Sequence, residues 1–251
     1  VGNTKLLSET DNLFEFANTY EYNTGTNIQT GDSPNNPILR TLQARLDDTI
    51  SVRSFGANGD GTDQTVSIQR AIDQLYLNAA NKGTTQARVE LILEAGEYSI
   101  TSTIYLPPYT TIRGAGIDKT IINAGNHIVF QTVNETSTPG VYADDSSSTT
   151  LNQARNISIS NLTINSTNTT LSLVSCKDSM FKNIKLSGNY VLGGSGALAG
   201  IVLSSLSTAV SSNNNIFDNI ITEKFQHGVK SNNDIKNNTW RKTLNNLIYI
   251  Y

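Results

Sequence analysis

Few residues in this chain combine a reactive type with a useful spacing. Asp218 and Glu223 flank one apolar run, FDNIITE at 217–223, and a strand there could turn both toward one face. Paired carboxylates at a suitable separation serve as acid and base, or acid and nucleophile, in glycoside hydrolysis. The plainer reading makes them solvated turn and surface acids, like Asp144, Asp145, Asp178 and Asp234. Elimination chemistry would want clustered aspartates around Ca²⁺ with an Arg or Lys base, and no such cluster is visible. His127 and His227 each lie beside a strand-like run, where packing or a surface hydrogen bond accounts for them. Tyr142, Tyr190, Trp240, Tyr249 and Tyr251 could stack on sugar rings, and Arg241 stands beside the tryptophan in NNTWRKT. Tyr190, Trp240 and Arg241 are the candidate glycan contacts, although Trp240 also reads as a core or interface residue. These residues call for no cofactor and no metal.

A second stretch looks like a ligand loop. SVRSFGANGDGTDQT (51–65) runs from a strand-like segment into a Gly- and Asp-rich turn, and VSIQRAIDQLY follows at once. A Ca²⁺ loop would need alternating oxygen ligands and a closing Glu, which are missing. A phosphate loop would need a Lys-Ser/Thr ending. The turn is better read as architecture. Asp60 and Asp63 can accept hydrogen bonds from the turn and from the first N–H groups of the next helix, while Gly59 and Gly61 permit the corner. The predicted helix, Val66 to Leu77, gathers Ile68, Ile72, Leu75 and Tyr76 on one face.

The elements that would position these residues are short strands. Of 251 residues, 37% are hydrophobic and 16% charged, and Ser, Thr, Asn and Gly fill the shortfall. That mix suits a turn-rich β protein. Four pieces match: ISNLTI (159–164), FKNIKL (181–186), FDNIIT (217–222) and LNNLIY (244–249), which align Asn161, Asn183, Asn219 and Asn246. Short strands at a period in the twenties, with Asn at a fixed place, mark a solenoid of parallel strands. One interval is longer because it holds the Gly-rich SGNYVLGGSGALAG (187–200). Asn suits the bend because it tolerates left-handed backbone, and stacked amides can hydrogen-bond from coil to coil. Leucine-rich repeats would need a denser Leu pattern, and an antiparallel sandwich would not repeat the Asn register.

The flanks differ. Residues 1–46 are polar, with a linker at 24–37 and then ILRTLQARLDD, read as a short helix or coiled neck. Residues 134–152 read as a surface loop. NNLIYIY ends as an uncapped apolar strand, from which we expect the natural chain to continue or other subunits to cover that end. The net charge of -3 provides no basic field for nucleic acid, and no apolar run can span a bilayer. A single cysteine, Cys176, excludes an intrachain disulfide and reads as buried.

Phe55, Gly56, Ala57, Gly59, Asp60, Gly61, Thr62 and Asp63, followed by Ile68, Gln69, Ala71, Ile72 and Asp73, resemble the opening motif of the pectate-lyase-like proteins of the parallel β-helix superfamily. The preceding TLQARLDDTISV, the later IRGAG (112–116) and the Asn-bearing coils are similar to bacteriophage tailspikes and tail fibres. The resemblance covers about residues 40–251 and is more specific for the fold than for a virion role. It implies an all-β, right-handed, single-stranded parallel β-helix with an N-terminal capping helix and a short extended or helical neck. Residues 1–46 would be the virion-attachment segment and 47–251 the β-helix domain. The implied protein is a homotrimeric tailspike or tail-fibre subunit in the phage virion, outside the cell. It would dock on tail or baseplate proteins and face host surface polysaccharide. The alternative on the same scaffold is a polysaccharide depolymerase, either lyase or glycoside hydrolase.

Overall fold

The computed structural model describes residues 49–78, 89–143, 145–191, 196–197, 199–232, 235–242 and 244–246. From Ser51 onward they belong to one compact unit. The neck within 1–46, Asp144, Asp234, Tyr249 and Tyr251 lie outside the described residues.

Among the described residues the strand pairs of the solenoid are parallel. The longest sheet stacks Leu91–Leu93, Thr111–Gly114, Ser158–Ser166, Met180–Ser187, Ile216–Glu223 and Thr239–Arg241. A second arm of that sheet stacks Asp60–Asp63, Gly96–Ile100 and Thr120–Ala124 on the later half of Ser158–Ser166. A five-stranded sheet runs Ile104–Leu106, Phe130–Thr132, Leu171–Val174, Ala199–Ser204 and His227–Asn232. Successive coils therefore place equivalent segments on one another, which is the architecture of a parallel β-helix.

The repeated hexapeptide explains how one strand serves two sheets. In Ser158–Ser166 the buried hydrophobic residues are Ile159, Leu162 and Ile164, so the two-residue alternation slips by one at Asn161. Asn161, Asn183 and Asn219 take up the extra residue with φ of 60°, 52° and 54°. In this left-handed bend each strand leaves the first arm and joins the second. A second left-handed column stands two residues before the strands, at Asn156, Asp178, Asn214 and Asn237. Asn and Asp fit because their short side chains hydrogen-bond locally where most residues would pay a steric cost. The register departs from the aligned repeat in the last coil. Asn246 pairs with Glu223, and because Asp218 pairs with Arg241 the position of Asn219 falls to Lys242 (φ 46°).

The interior is built as columns. Leu91, Ile112, Ile159, Phe181, Phe217 and Trp240 follow one another inward along the first arm. Phe181 and Phe217 stack at 5.1 Å, and Phe217 and Trp240 at 4.0 Å, close to the spacing of about 4.8 Å between paired strands. Tyr98, Ile122, Ile164 and Leu186 form the matching column of the second arm. Strands buried on this side are rich in Ile, Leu and Phe because each fully buried side chain of that size contributes about 1.5–3 kcal/mol.

The helix Thr65–Ile72 continues into a wider π turn, Asp73–Leu77. Ile68, Ala71, Ile72, Leu75 and Tyr76 are buried. Its polar side chains meet backbone groups of the coils beside it. The Gln69 amide accepts from Tyr105 N–H at 2.7 Å and donates to Tyr105 C=O at 3.3 Å, on an edge strand of the five-stranded sheet. Thr65 Oγ1 accepts from Thr101 N–H at 2.7 Å, and the Tyr76 hydroxyl accepts from Thr111 N–H and donates to Val89 C=O. The two Gln69 contacts satisfy backbone groups on the open edge of Ile104–Leu106.

Candidate functional site

The Gly-Asp turn is a hydrogen-bonded corner. Asp60 Oδ1 accepts from Thr62 N–H, Thr62 Oγ1 and Gln64 Nε2. Asp63 Oδ1 accepts from the first helical N–H, that of Thr65, at 3.0 Å, and from Thr65 Oγ1, while Oδ2 accepts from Thr101 Oγ1. Donation by the Thr62 hydroxyl holds Asp60 below the usual carboxylate range, and the Thr65 hydroxyl does the same for Asp63. Gly56 (φ 94°), Gly59 (φ 68°) and Gly61 (φ 82°) turn the chain, and a Cβ on Gly59 would lie 2.9 Å from the Tyr98 ring. Phe55 ends the short turn Val52–Phe55 that leads into this corner. Among the described residues every oxygen of both acids except Asp60 Oδ2 has a local partner, so the corner is architectural.

The outward faces carry the candidate acids. Asp218 stands opposite Lys182 on one side and Arg241 on the other. Glu223 stands opposite Ser187 and Asn246, on the other arm beyond the Asn219 bend. The structure thus separates the pair: they flank one strand but belong to two arms. Lys185 reaches Glu223 at 3.7 Å and Asp118 at 3.4 Å. Nothing in the spacing points to this lysine, because Asp118 comes from a corner loop two coils earlier. Asp218, Lys182 and Arg241 form a column of alternating charge.

Trp240 lies in the inward column. One ring face is occupied by Phe217, with planes 8° apart, and it remains 38% exposed as the last described member of the stack. It lines a cavity of about 520 Å³ with Leu203, Val229 and Ile235. Tyr190 is half-buried, its N–H donating to Lys224 C=O. Arg241 is exposed on the outward side of its strand. The structure does not bring Tyr190, Trp240 and Arg241 to one face of the strands.

His127 is half-buried and its Nε2 has no hydrogen-bond partner among the described residues, so burial pulls its pKa down. His227 is exposed at the start of its strand. Among the described residues no three His, Cys, Asp or Glu side chains gather as metal ligands, and no helix is long and apolar enough to cross a membrane.

A further cleft lies against the helix. Tyr142, from the loop at 134–152, stacks on Tyr105 with centroids 4.3 Å apart, and its hydroxyl donates to Asp73 Oδ2 at 2.8 Å. Burial, together with that carboxylate, pushes the phenol well above its ordinary pKa. Arg155 ties the same loop down through Glu135 at 2.6 Å, while its guanidinium lies over the Tyr109 ring.

No curated protein matches the chain. Among solved structures, ORF18 of Geobacillus virus E2 is similar over 80% of this chain at 20% identity and a TM-score of 0.54. The chain spans 43% of that viral protein's length. The Streptococcus pneumoniae surface protein and adhesin PfbA is similar over 70% of this chain and 42% of its own, at 20% identity and a TM-score of 0.49. The pre-mature bacteriophage phi29 gene product 12 is similar over 76% of this chain and 29% of its own, at 16% identity and a TM-score of 0.47. Residues 49–249 match the family described as rhamnogalacturonase A/epimerase, pectate lyase-like. With the opening corner, the parallel ladders and four-fifths of its length in that match, the chain belongs to the pectate-lyase-like rhamnogalacturonase A/epimerase family.

Proposed function

We propose that the chain is a tail structural protein of a bacteriophage, a tailspike or tail-fibre subunit that faces bacterial surface polysaccharide. The observation that carries this reading is the fold shared with a viral protein, ORF18 of Geobacillus virus E2. In this reading the coil is right-handed and the helix Thr65–Ile72 caps its first turn. Residues 1–46 attach to tail or baseplate proteins, residues 47–251 form the β-helix domain, and three chains pack side by side outside the cell. The outward column Lys182, Asp218 and Arg241 is the surface offered to the glycan. Trp240 contributes only where its free ring face remains open.

A depolymerase is the second reading, favoured by the enzymes for which the family is named. The bend between Asp218 and Glu223, and the lysine held on Glu223, speak against this pair as its machinery. Retention of the full chain on immobilised capsular polysaccharides from a strain panel, with no new reducing or unsaturated ends, is the expected result. Cleavage lost on Asp218→Asn or Glu223→Gln would establish the depolymerase instead. Neither retention nor cleavage on any polysaccharide would overturn the glycan-facing role.

A further inference from the structure

A cleft of about 380 Å³ opens between the helix, the edge strand Ile104–Leu106 and the loop carrying Tyr142. It lies on the five-stranded side of the solenoid, not on the outward columns of the long sheet. Its wall is a closed circuit of contacts. Tyr105 N–H donates to Gln69 Oε1 at 2.7 Å, Gln69 Nε2 donates to Asp73 Oδ1 at 2.9 Å, and the Tyr142 hydroxyl donates to Asp73 Oδ2 at 2.8 Å. The Tyr142 ring then returns onto Tyr105, 18° from parallel. Two half-exposed rings are thereby fixed beside a nearly buried carboxylate. Arg70, at the rim, is exposed and pairs with no acid among the described residues.

Each part has a use in binding a sugar. The apolar C–H face of a pyranose packs on an aromatic ring, and its hydroxyls bridge an acceptor carboxylate and a donor guanidinium. Each Asp73 oxygen accepts one hydrogen bond in the circuit and keeps lone-pair capacity for a hydroxyl. Because the contacts are fixed before the ligand arrives, little ordering cost is left for binding. Roughly 300–1,000 Å³ is usual for a small-molecule site, and this cleft falls near the lower end. One acid and one base line it, so the lining has no net charge to favour an ionic sugar. We propose that this cleft binds a neutral hexopyranose residue of a surface glycan. The proposal rests on the reading of the protein as glycan-facing, but it needs neither the trimer nor the outward column.

Saturation-transfer NMR on the full chain tests it, with methyl glucoside, methyl galactoside and methyl N-acetylglucosaminide as probes and galacturonate as the acidic control. The expected result is transfer to ring protons of at least one neutral probe, weakened about tenfold in affinity by Tyr142→Ala. Arg70→Gln, at an exposed position that leaves the wall intact, should also weaken it, while Trp240→Ala should not. Transfer to galacturonate alone, to no neutral probe, or unchanged in both Tyr142→Ala and Arg70→Gln would overturn it. If those outcomes occur while the chain is still retained on polysaccharide, this site fails and the glycan-facing role stands.

Discussion

Asn183 Nδ2 donates to Asn161 Oδ1 at 3.0 Å, and Asn219 Nδ2 donates to Asn183 Oδ1 at the same distance. One residue type thus meets two demands at each bend, the left-handed backbone and a side-chain link to the next coil.

Substitution separates those demands. Asn183→Gly keeps the backbone freedom and loses the amide ladder, whereas Asn183→Ala loses both. We expect Asn183→Ala to cost about 1–3 kcal/mol, with Asn183→Gly at the lower end, as read from urea midpoints. Equal losses would show that the ladder, not the bend, is what matters.

Phe217 lies between two stacked rings and is fully buried, while Trp240 stacks on one ring among the described residues. Phe217→Ala should cost about 3–5 kcal/mol. Trp240→Ala should cost less and open only the last coil, because a solenoid couples nearest neighbours. Hydrogen exchange, resolved by peptide, distinguishes local from global loss.

Asp63 has its pKa lowered in the folded state, chiefly by the Thr65 hydroxyl. The unfolded state then binds the proton more readily. This contribution is therefore complete above the ordinary Asp value of 3.8 and fades as pH falls through the lower folded value. Asp63→Asn should reduce stability at neutral pH and flatten its decline in acid, as measured by urea midpoints across that range. An unchanged acid slope would contradict the role given to this corner.

Burial pushes the Cys176 thiol up to about 12. It should resist thiol reagents at neutral pH in the native protein and react once urea unfolds it. Folding favours the protonated thiol, so this contribution is complete below the ordinary value of 9.0 and is lost as pH rises toward about 12. Fast labelling of the native chain would show that this coil opens.

The solenoid was legible because the left-handed bend admits few residues, so Asn recurs in ISNLTI, FKNIKL and FDNIIT. The last coil was not legible in the same way. LNNLIY offers an attractive Asn, yet pairing gives the bend to Lys242, a residue with no marked preference for it. The helix could be read from Ile68, Ile72, Leu75 and Tyr76, but not the π turn after Asp73. Candidate acids could be found by type, whereas their separation depends on which arm each strand half joins. The tyrosine cleft was hidden because Tyr142 reaches Asp73 across 69 residues of sequence through a loop with no periodicity.

The account of a tail spike is tested most directly by the native mass of the full chain, from light scattering on a chromatography column. It predicts three chains per particle, surviving dilution. A clean monomer at every concentration would contradict the spike and leave a free pectate-lyase-like protein in its place.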